Sequence, residues 1–141
     1  MHRLLFLAAG LLAGCGTIEC DDSTYTCTGG DMNQEDRPLT IEYVTVTVLR
    51  PSCANAQCHS SYKYESEYRF DTVEHVQESL TNGVLVIPGD AEGSFLFTVL
   101  IRATQPDGSG PRMPYDAPLP TADIALIKQW IDQGADGLVV P

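Results

Sequence analysis

The chain has few positive charges, no long apolar run and none of the short motifs of the common enzyme classes. Its 8 lysines and arginines stand against 19 aspartates and glutamates, so the formal net charge is −11. A strongly acidic chain is a poor candidate for binding nucleic acid. We find no nucleophile with a base and an orienting acid, no phosphate-binding glycine loop and no His/Glu zinc pattern. The sequence therefore argues against a nucleic-acid-binding protein and predicts no enzyme.

The first residues have the pattern of an export signal. Arg3 precedes an apolar run from Leu4 to Ala13, which is too short to span a bilayer as a helix. The run ends in Leu12-Ala13-Gly14-Cys15, which resembles the lipobox of bacterial lipoproteins. The resemblance implies that residues 1–14 are a signal peptide, that Cys15 carries the lipid, and that the exported protein is anchored to the outer membrane, facing the periplasm or the cell surface. The alternative is an ordinary secretory signal.

Four further cysteines divide into two local pairs, Cys20 with Cys27 and Cys53 with Cys58. Residues 15–37 are polar and show no apolar periodicity, which predicts a lipidated flexible tether before one domain at 38–141. In an oxidising compartment free thiols are rare, and for Cys20 and Cys27 we favour a structural disulfide that closes a small loop.

Three helices are predicted from spacing and capping residues in the domain. One runs from Phe70 to Leu80, capped by Asp71 or Thr72, and one begins at Asp90 and continues through Leu100. The last begins at Pro120 and Thr121 and ends at Gly134, with an apolar stripe of isoleucines and Trp130. Residues 105–118 are dense in glycine and proline and predict a long loop, and loops of this length in a compact domain are usually functional or disordered.

The segment Cys53-Ala54-Asn55-Ala56-Gln57-Cys58-His59 is the most informative part of the chain. Attachment of c-type haem needs two thiols and a histidine directly after the second, usually as C-x-x-C-H. Here four residues separate the cysteines, and the Cys-His pair is kept. Met113 lies downstream in the predicted loop, and methionine opposite histidine is the iron ligation of many electron-transfer cytochromes.

With these residues in place, the chain resembles the small cytochrome c domains of planctomycete and myxobacterial exported proteins. The resemblance implies an all-α, class I cytochrome c-like fold around one covalent haem c. Cys53 and Cys58 would form the thioethers, and His59 and Met113 would be the axial iron ligands. The matching segments are 49–53, 58–59, 86–90, 94–96, 112–114, 118–119 and 124–135.

The resemblance also bears on two local questions. Residues 41–49 alternate like a strand at Val44, Val46 and Val48, yet the family has a helix before its haem motif, and we predict a helix. His75 would be the fallback axial ligand, although a solvated histidine is the simpler interpretation. The predicted haem-pocket walls, which are equally core candidates, are Leu96, Phe97, Leu100, Ile127 and Trp130.

The resulting hypothesis is a membrane-anchored mono-haem cytochrome that transfers single electrons. Its acidity suggests a redox partner with a basic surface. Two alternatives remain open. One is a haem-free binding or structural lipoprotein with a Cys53–Cys58 disulfide in a cytochrome-like fold. The other is an enzyme subunit, a haem peroxidase or an electron-entry module, with an open position on the iron.

Overall fold

Five short α-helices make up most of the regular structure in a computed structural model of the protein. The structure describes residues 19–21, 23–24, 26–28, 37–81, 85–102 and 112–139. The helices are α1 (Ile41–Val44), α2 (Arg50–Cys53), α3 (Val73–Leu80), α4 (Phe95–Ile101) and α5 (Thr121–Asp132). A π-helical segment at Thr45–Leu49 and a 3₁₀ turn at Glu65–Glu67 complete the helical part, and β1 (Glu19–Asp21) and β2 (Thr26–Thr28) form a hairpin. The predicted all-α domain is confirmed.

Residues 41–53 form one continuous helical segment, so the helix prediction is confirmed over the strand-like alternation. The middle of this segment widens into π-helix, where the Arg50 N–H donates to the Thr45 carbonyl. Two local features account for the widening. The Thr47 hydroxyl donates to the Tyr43 carbonyl at 2.7 Å, and Pro51 has no N–H to donate. Cys53 is the last residue of this helical segment.

The starts of α3 and α4 follow from hydroxyl side chains. Thr72 caps α3, and its hydroxyl accepts from the His75 N–H. The prediction that Asp90 caps α4 is wrong, because α4 begins only at Phe95 with Ser94 at the capping position. Asp90 instead closes a turn, in which its carboxylate accepts from Gly93 N–H at 2.9 Å and its carbonyl accepts from the buried Ser94 hydroxyl at 2.7 Å.

The core is built on α5, as its apolar stripe predicts. Trp130 is fully buried, and its indole N–H donates to the Asp136 carbonyl at 3.1 Å. The Ile41 N–H donates to the same carbonyl at 3.0 Å, which ties the start of α1 to the turn after α5. Gly137 fits there with φ of +83°, since a Cβ atom would lie 2.6 Å from the Ile41 side chain. The first and last parts of the domain therefore close on each other.

The hairpin lies in the segment for which the sequence predicts only a flexible tether with a small loop. Its strands pair antiparallel with Cys20 opposite Cys27, and Cys20 is disulfide-bonded. Both strands contact α5. The predicted signal peptide, Cys15 and residues 103–111 of the predicted long loop lie outside the described residues. Within the described ranges, no helix is long and apolar enough to cross a membrane.

Candidate functional site

The two cysteines, the histidine and the methionine singled out in the sequence line one cavity. The cavity has a volume of about 540 Å³, and Cys53, Cys58, His59 and Met113 all contribute to its wall. Cavities of roughly 300–1,000 Å³ are the size class that holds cofactors and other small molecules. The remaining lining residues are Ser52, Asn55, Gln57, Glu65, Ser66, Tyr68, Phe70, Leu85, Phe95, Leu96, Val99, Leu100, Arg102, Pro114, Tyr115 and Asp116.

The four-residue gap between the cysteines folds as a closed turn. The Asn55 side chain accepts from the Gln57 N–H at 3.1 Å, and the Asn55 carbonyl accepts from the Cys58 N–H at 3.0 Å. The His59 N–H then donates to the Cys53 carbonyl at 3.1 Å, so the chain returns to the end of α2. The two residues in excess of the usual C-x-x-C-H spacing therefore form a bulge in this turn. Cys53 and Cys58 both still line the same cavity.

Cys53 and Cys58 are free thiols, in contrast to the disulfide-bonded Cys20. Burial raises the pKa of Cys53 to about 12, and the neighbouring Cys58 adds to the rise. At neutral pH the Cys53 sulfur is therefore protonated. It has the low reactivity of a buried thiol rather than that of an activated nucleophile.

One ring nitrogen of His59 is held by the backbone. Nδ1 lies 2.9 Å from the Glu65 carbonyl, and because a carbonyl only accepts, Nδ1 carries the proton and donates it. The other nitrogen, Nε2, is then unprotonated in the neutral ring and has a lone pair available for a metal. The rings of Phe70 and Tyr68 lie 5.3 and 6.0 Å from the imidazole and stack parallel to each other.

The turn that presents the Glu65 carbonyl is strained. Tyr64, Ser66 and Glu67 have φ angles of +56°, +54° and +64°, in the left-handed region that side chains other than glycine rarely occupy. Each such residue costs about 1–2 kcal/mol. Such strain is typical of functional sites, where the surrounding structure holds it in place. Here it accompanies the turn that orients His59.

Met113 reaches the cavity from a different part of the chain. Its N–H donates to the Val99 carbonyl in α4 at 3.0 Å, and this contact places it beside the apolar face of that helix. Its side chain is half-buried. A thioether, an imidazole and two thiols therefore meet around one apolar space.

The predicted pocket walls divide between the cavity and the core. Leu96 and Leu100 line the cavity, whereas Phe97, Ile127 and Trp130 are fully buried and do not line it. Because every residue of α4 except Thr98 is apolar, its sequence does not mark which face meets a ligand. Positions i, i+3 and i+4 from Leu96 share the cavity face, and Phe97 points away from it into the core.

Several cavity residues carried no usable signal in the sequence. Phe70 and Leu85 are buried residues in segments without regular secondary structure. Phe95 begins α4, and because nearly all residues of that helix are apolar, the sequence does not show which of them line a cavity. Tyr68 lies in the tyrosine-rich stretch after the motif, but alternation alone did not separate it from Tyr62 and Tyr64, which do not line the cavity. His75 also lies outside the lining.

His75 instead belongs to a polar cluster. Its Nδ1 lies 2.7 Å from an Asp71 oxygen, and the other Asp71 oxygen accepts from the Ser61 N–H at 3.0 Å. Partial burial acts to raise the pKa of Asp71, but hydrogen bonds from Ser61 and His75 lower it well below its ordinary value. The cluster ties the chain after His59 to the start of α3.

Comparison with known families agrees with the geometry. Residues 56–114 match the family model described as Planctomycete cytochrome C. The match supports a small planctomycete-type cytochrome c domain in this chain. The match contains Cys58, His59 and Met113, begins three positions after Cys53 and ends before α5. Searches of the curated proteins and of the solved structures gave no match.

The cytochrome c family implies haem c as the bound cofactor, and the residues of the cavity fit it. Two thiols, an imidazole with Nε2 available and a thioether are the groups that haem c attachment and ligation require. Cytochrome c domains are haem-binding electron-transfer proteins, typically carriers rather than enzymes.

Proposed function

We propose that the mature protein is a lipid-anchored, mono-haem cytochrome c that transfers single electrons to and from a protein partner. The observation that carries this proposal is the convergence of Cys53, Cys58, His59 and Met113 on one cavity of about 540 Å³. Covalent haem c supplies the one-electron redox chemistry when it is bound.

Each residue has a separate role in the proposal. Cys53 and Cys58 hold the haem covalently, since each S–H adds across a vinyl group and no atom leaves. His59 binds the iron through Nε2, and the bond from Nδ1 to the Glu65 carbonyl fixes the ring and raises its basicity. Met113 binds through its sulfur, and His/Met ligation raises the reduction potential.

The apolar wall keeps water from the cofactor. Buried Leu96, Leu100 and Phe70 cover one part of the cavity, while Tyr115 and Asp116 on its rim are exposed. An apolar shell with one open edge lets an electron pass at the edge while the iron stays shielded. The chain's charge of −11, with Glu65 and Asp116 on the rim, favours a partner with a basic surface.

The deciding experiment is expression in a host that matures c-type cytochromes. We expect a red protein whose mass exceeds the polypeptide mass by one haem, and a reduced spectrum typical of His/Met ligation. The double variant Cys53→Ser/Cys58→Ser should lose the covalent mass. A colourless wild type with a Cys53–Cys58 disulfide would refute the electron-carrier proposal and support the haem-free alternative.

A matched pair of histidine variants tests the ligand assignment. His59→Ala should abolish the spectrum of the wild type, and His75→Ala should leave it unchanged, because His75 lies outside the cavity lining. If Met113→Ala left the spectrum unaltered while His75→Ala changed it, His75 would be the ligand. If neither variant changed it, the iron would have an open position, as in the enzyme alternative.

The anchor is tested by location. Cys15→Ser should move the protein from the membrane fraction to the soluble fraction and stop incorporation of labelled fatty acid. Gly16→Ala is the matched control and should leave both unchanged. A wild type that carries no lipid would instead show an ordinary secretory signal.

A further inference from the structure

The helical segment 41–53, which leads into the cysteine motif, is held by the rest of the fold at both ends. At its start, Ile41 is buried and its N–H donates to the Asp136 carbonyl at 3.0 Å. At its end, the Cys53 carbonyl accepts from the His59 N–H at 3.1 Å. The amount by which the segment winds between its two ends is therefore set by contacts outside it.

A regular α-helix over these residues would direct Cys53 away from the side occupied by Ile41. Successive residues of an α-helix are about 100° apart, so Cys53, twelve positions after Ile41, would lie about 120° around the axis. Both side chains nevertheless belong to the interior, because Ile41 is in the core, and Cys53 packs against that core and lines the cavity. The segment therefore has to wind less than a regular α-helix of the same length.

The π-helical turn at Thr45–Leu49 accounts for the difference. In an α-helix the Arg50 N–H would donate to the carbonyl four residues earlier, but here it donates to Thr45, five residues earlier. A turn closed in this way contains one residue more than an α-helical turn, which removes about 100° of winding. Cys53 then lies only about 20° from Ile41 and on the same face of the segment.

The local chemistry favours the wide turn over a regular one. The Thr47 hydroxyl donates to the Tyr43 carbonyl at 2.7 Å and so satisfies an acceptor that a regular helix would pair with the Thr47 N–H. Pro51 has no N–H, so a regular helix would gain no hydrogen bond at the Thr47 carbonyl. Thr47 is exposed, and its removal would leave the packing of the core intact.

We propose that the π-helical turn at Thr45–Leu49 is a positioning element, whose one extra residue turns Cys53 towards the haem cavity. The inference rests on the proposed function, because the group that it positions is one of the two thiols that bind the haem. It has a specific consequence for chain length. Removing one residue from the turn should leave a regular α-helix with both of its ends still in register.

The first variant is a deletion of Thr47, produced in a host that matures c-type cytochromes and studied with haem loaded. We expect mass spectrometry of the haem peptides to find thioethers at both Cys53 and Cys58, and the reduced spectrum to be unchanged. The midpoint of thermal unfolding should stay within about 4 °C of the wild type. A deletion inside a helix that is buried on one face would otherwise displace every residue that follows it.

The second variant has one alanine inserted after Thr47, which should turn Cys53 by about a further 100° and abolish its thioether. Where Cys58 alone holds the haem, one vinyl group stays unsaturated and moves the band of the reduced haem to longer wavelength. A loss of stability without a change in the direction of Cys53 would not move this band. The length-matched control is Val46→Ala at an exposed position of the same turn, which should keep both thioethers.

A deletion in a regular helix is the control for tolerance of deletions in general. Deletion of Gln129 from α5 displaces the buried Trp130 from the apolar stripe and should lower the thermal midpoint by about 10 °C or more. If the protein tolerated this deletion as well as that of Thr47, tolerance would not depend on the π-helical turn, and the proposal would fail.

Two further outcomes would overturn the proposal. The first is a Thr47 deletion that loses the thioether at Cys53 or no longer folds by circular dichroism, because both ends of the segment would then need the extra residue. The second is an insertion variant that retains both thioethers. Either outcome, in a red wild type with one haem, leaves the proposed function intact, whereas a colourless wild type removes both.

Discussion

The two sides of the cavity are built in different ways. The histidine side, residues 53–75, is a contiguous stretch whose internal hydrogen bonds set the position of His59. The methionine side consists of α4 and residues 112–116, joined by the single backbone bond from Met113 to Val99. The histidine side is therefore fixed by local contacts, whereas the methionine side depends on how distant segments pack.

The difference is also one of strain and polarity. The histidine side contains three non-glycine residues with positive φ in the turn that bonds the imidazole, and its polar cluster at Asp71 ties the chain after His59 to the start of α3. The methionine side is an apolar helix face, with Arg102 directly after the helix. One side presents a ligand in a fixed orientation, and the other supplies burial and charge.

The largest expected effect comes from removing each proposed iron ligand. His59→Ala should abolish haem loading and cooperative unfolding, because the turn around it is organised on that ring. Met113→Ala should retain covalent haem and a cooperative transition at a lower temperature, since only the second axial ligand is lost. The haem-to-protein ratio and thermal unfolding by circular dichroism measure both. A Met113→Ala protein that loses haem as completely as His59→Ala would break the comparison.

The next effect is in the aromatic and aliphatic walls. Phe70 on the histidine side is buried with its ring 5.3 Å from His59, and Leu100 on the methionine side is buried in α4. We expect Phe70→Ala to lower the free energy of unfolding by about 4 kcal/mol and Leu100→Ala by about 3 kcal/mol. Urea unfolding of the haem-loaded protein measures these values.

The control for the wall variants is Tyr115→Ala. Tyr115 also lines the cavity but is 67% exposed, so its removal should change the free energy of unfolding by less than about 0.5 kcal/mol. A larger loss for Leu100→Ala than for Phe70→Ala would show that the methionine side is the better packed one.

The same comparison explains what the sequence could predict. Cys53, Cys58 and His59 lie within seven consecutive positions. The motif alone therefore predicts that they reach one cavity, and the rest of the fold is not needed for that prediction. The α5 stripe is as direct, because Trp130 and its neighbours recur at helical spacing on one face. Met113 alone would be an ordinary loop methionine, and only its position after Cys58-His59 and before the last helix marks it as a ligand. Its partner Val99 is 14 positions away, a separation that no local pattern encodes.

Other features were beyond the sequence for physical reasons. In α4 the apolar residues surround the helix, so nothing in the pattern separates Leu96 on the cavity from Phe97 in the core. Asp90 and Ser94 are both good capping residues, so the sequence does not decide at which of them α4 begins. Contacts between the turn and α5 decide it, and in one of them the Ala91 N–H donates to the Asp132 carboxylate at 3.0 Å. The hairpin strands have three residues each, too few for an alternating pattern.

A smaller effect is expected at the polar cluster of the histidine side. Hydrogen bonds lower the pKa of Asp71 in the folded protein. Its carboxylate therefore stabilises the folded state at pH values above the pKa of an unfolded aspartate. This stabilisation is lost as the pH falls towards the lowered pKa. Asp71→Asn should cost about 1 kcal/mol at neutral pH, and the difference from the wild type should narrow below about pH 4. Urea unfolding at several pH values measures it.

Asp116 on the methionine side is the matched control for Asp71. Within the described residues its side chain accepts only from the N–H of the next residue, Ala117, and it is exposed. Asp116→Asn should therefore leave both the stability at neutral pH and its dependence on acid unchanged within about 0.5 kcal/mol. An equal response of the two variants would show that the cluster at Asp71 has no particular role.

The smallest effect should be a gain in stability on the histidine side. Ser66 is exposed and has a φ of +54°, which glycine adopts without the Cβ clash, so Ser66→Gly should raise the free energy of unfolding by about 0.5–1 kcal/mol. The neighbouring Ser61 has no positive φ, and Ser61→Gly should instead be destabilising. If the turn only needs the backbone shape that places the Glu65 carbonyl on His59, the Ser66→Gly spectrum and reduction potential will match the wild type. A loss of stability in Ser66→Gly would instead show that the serine side chain supports the cavity rim. It would also show that the positive φ of Ser66 is not a net cost to the turn that holds the His59 ring.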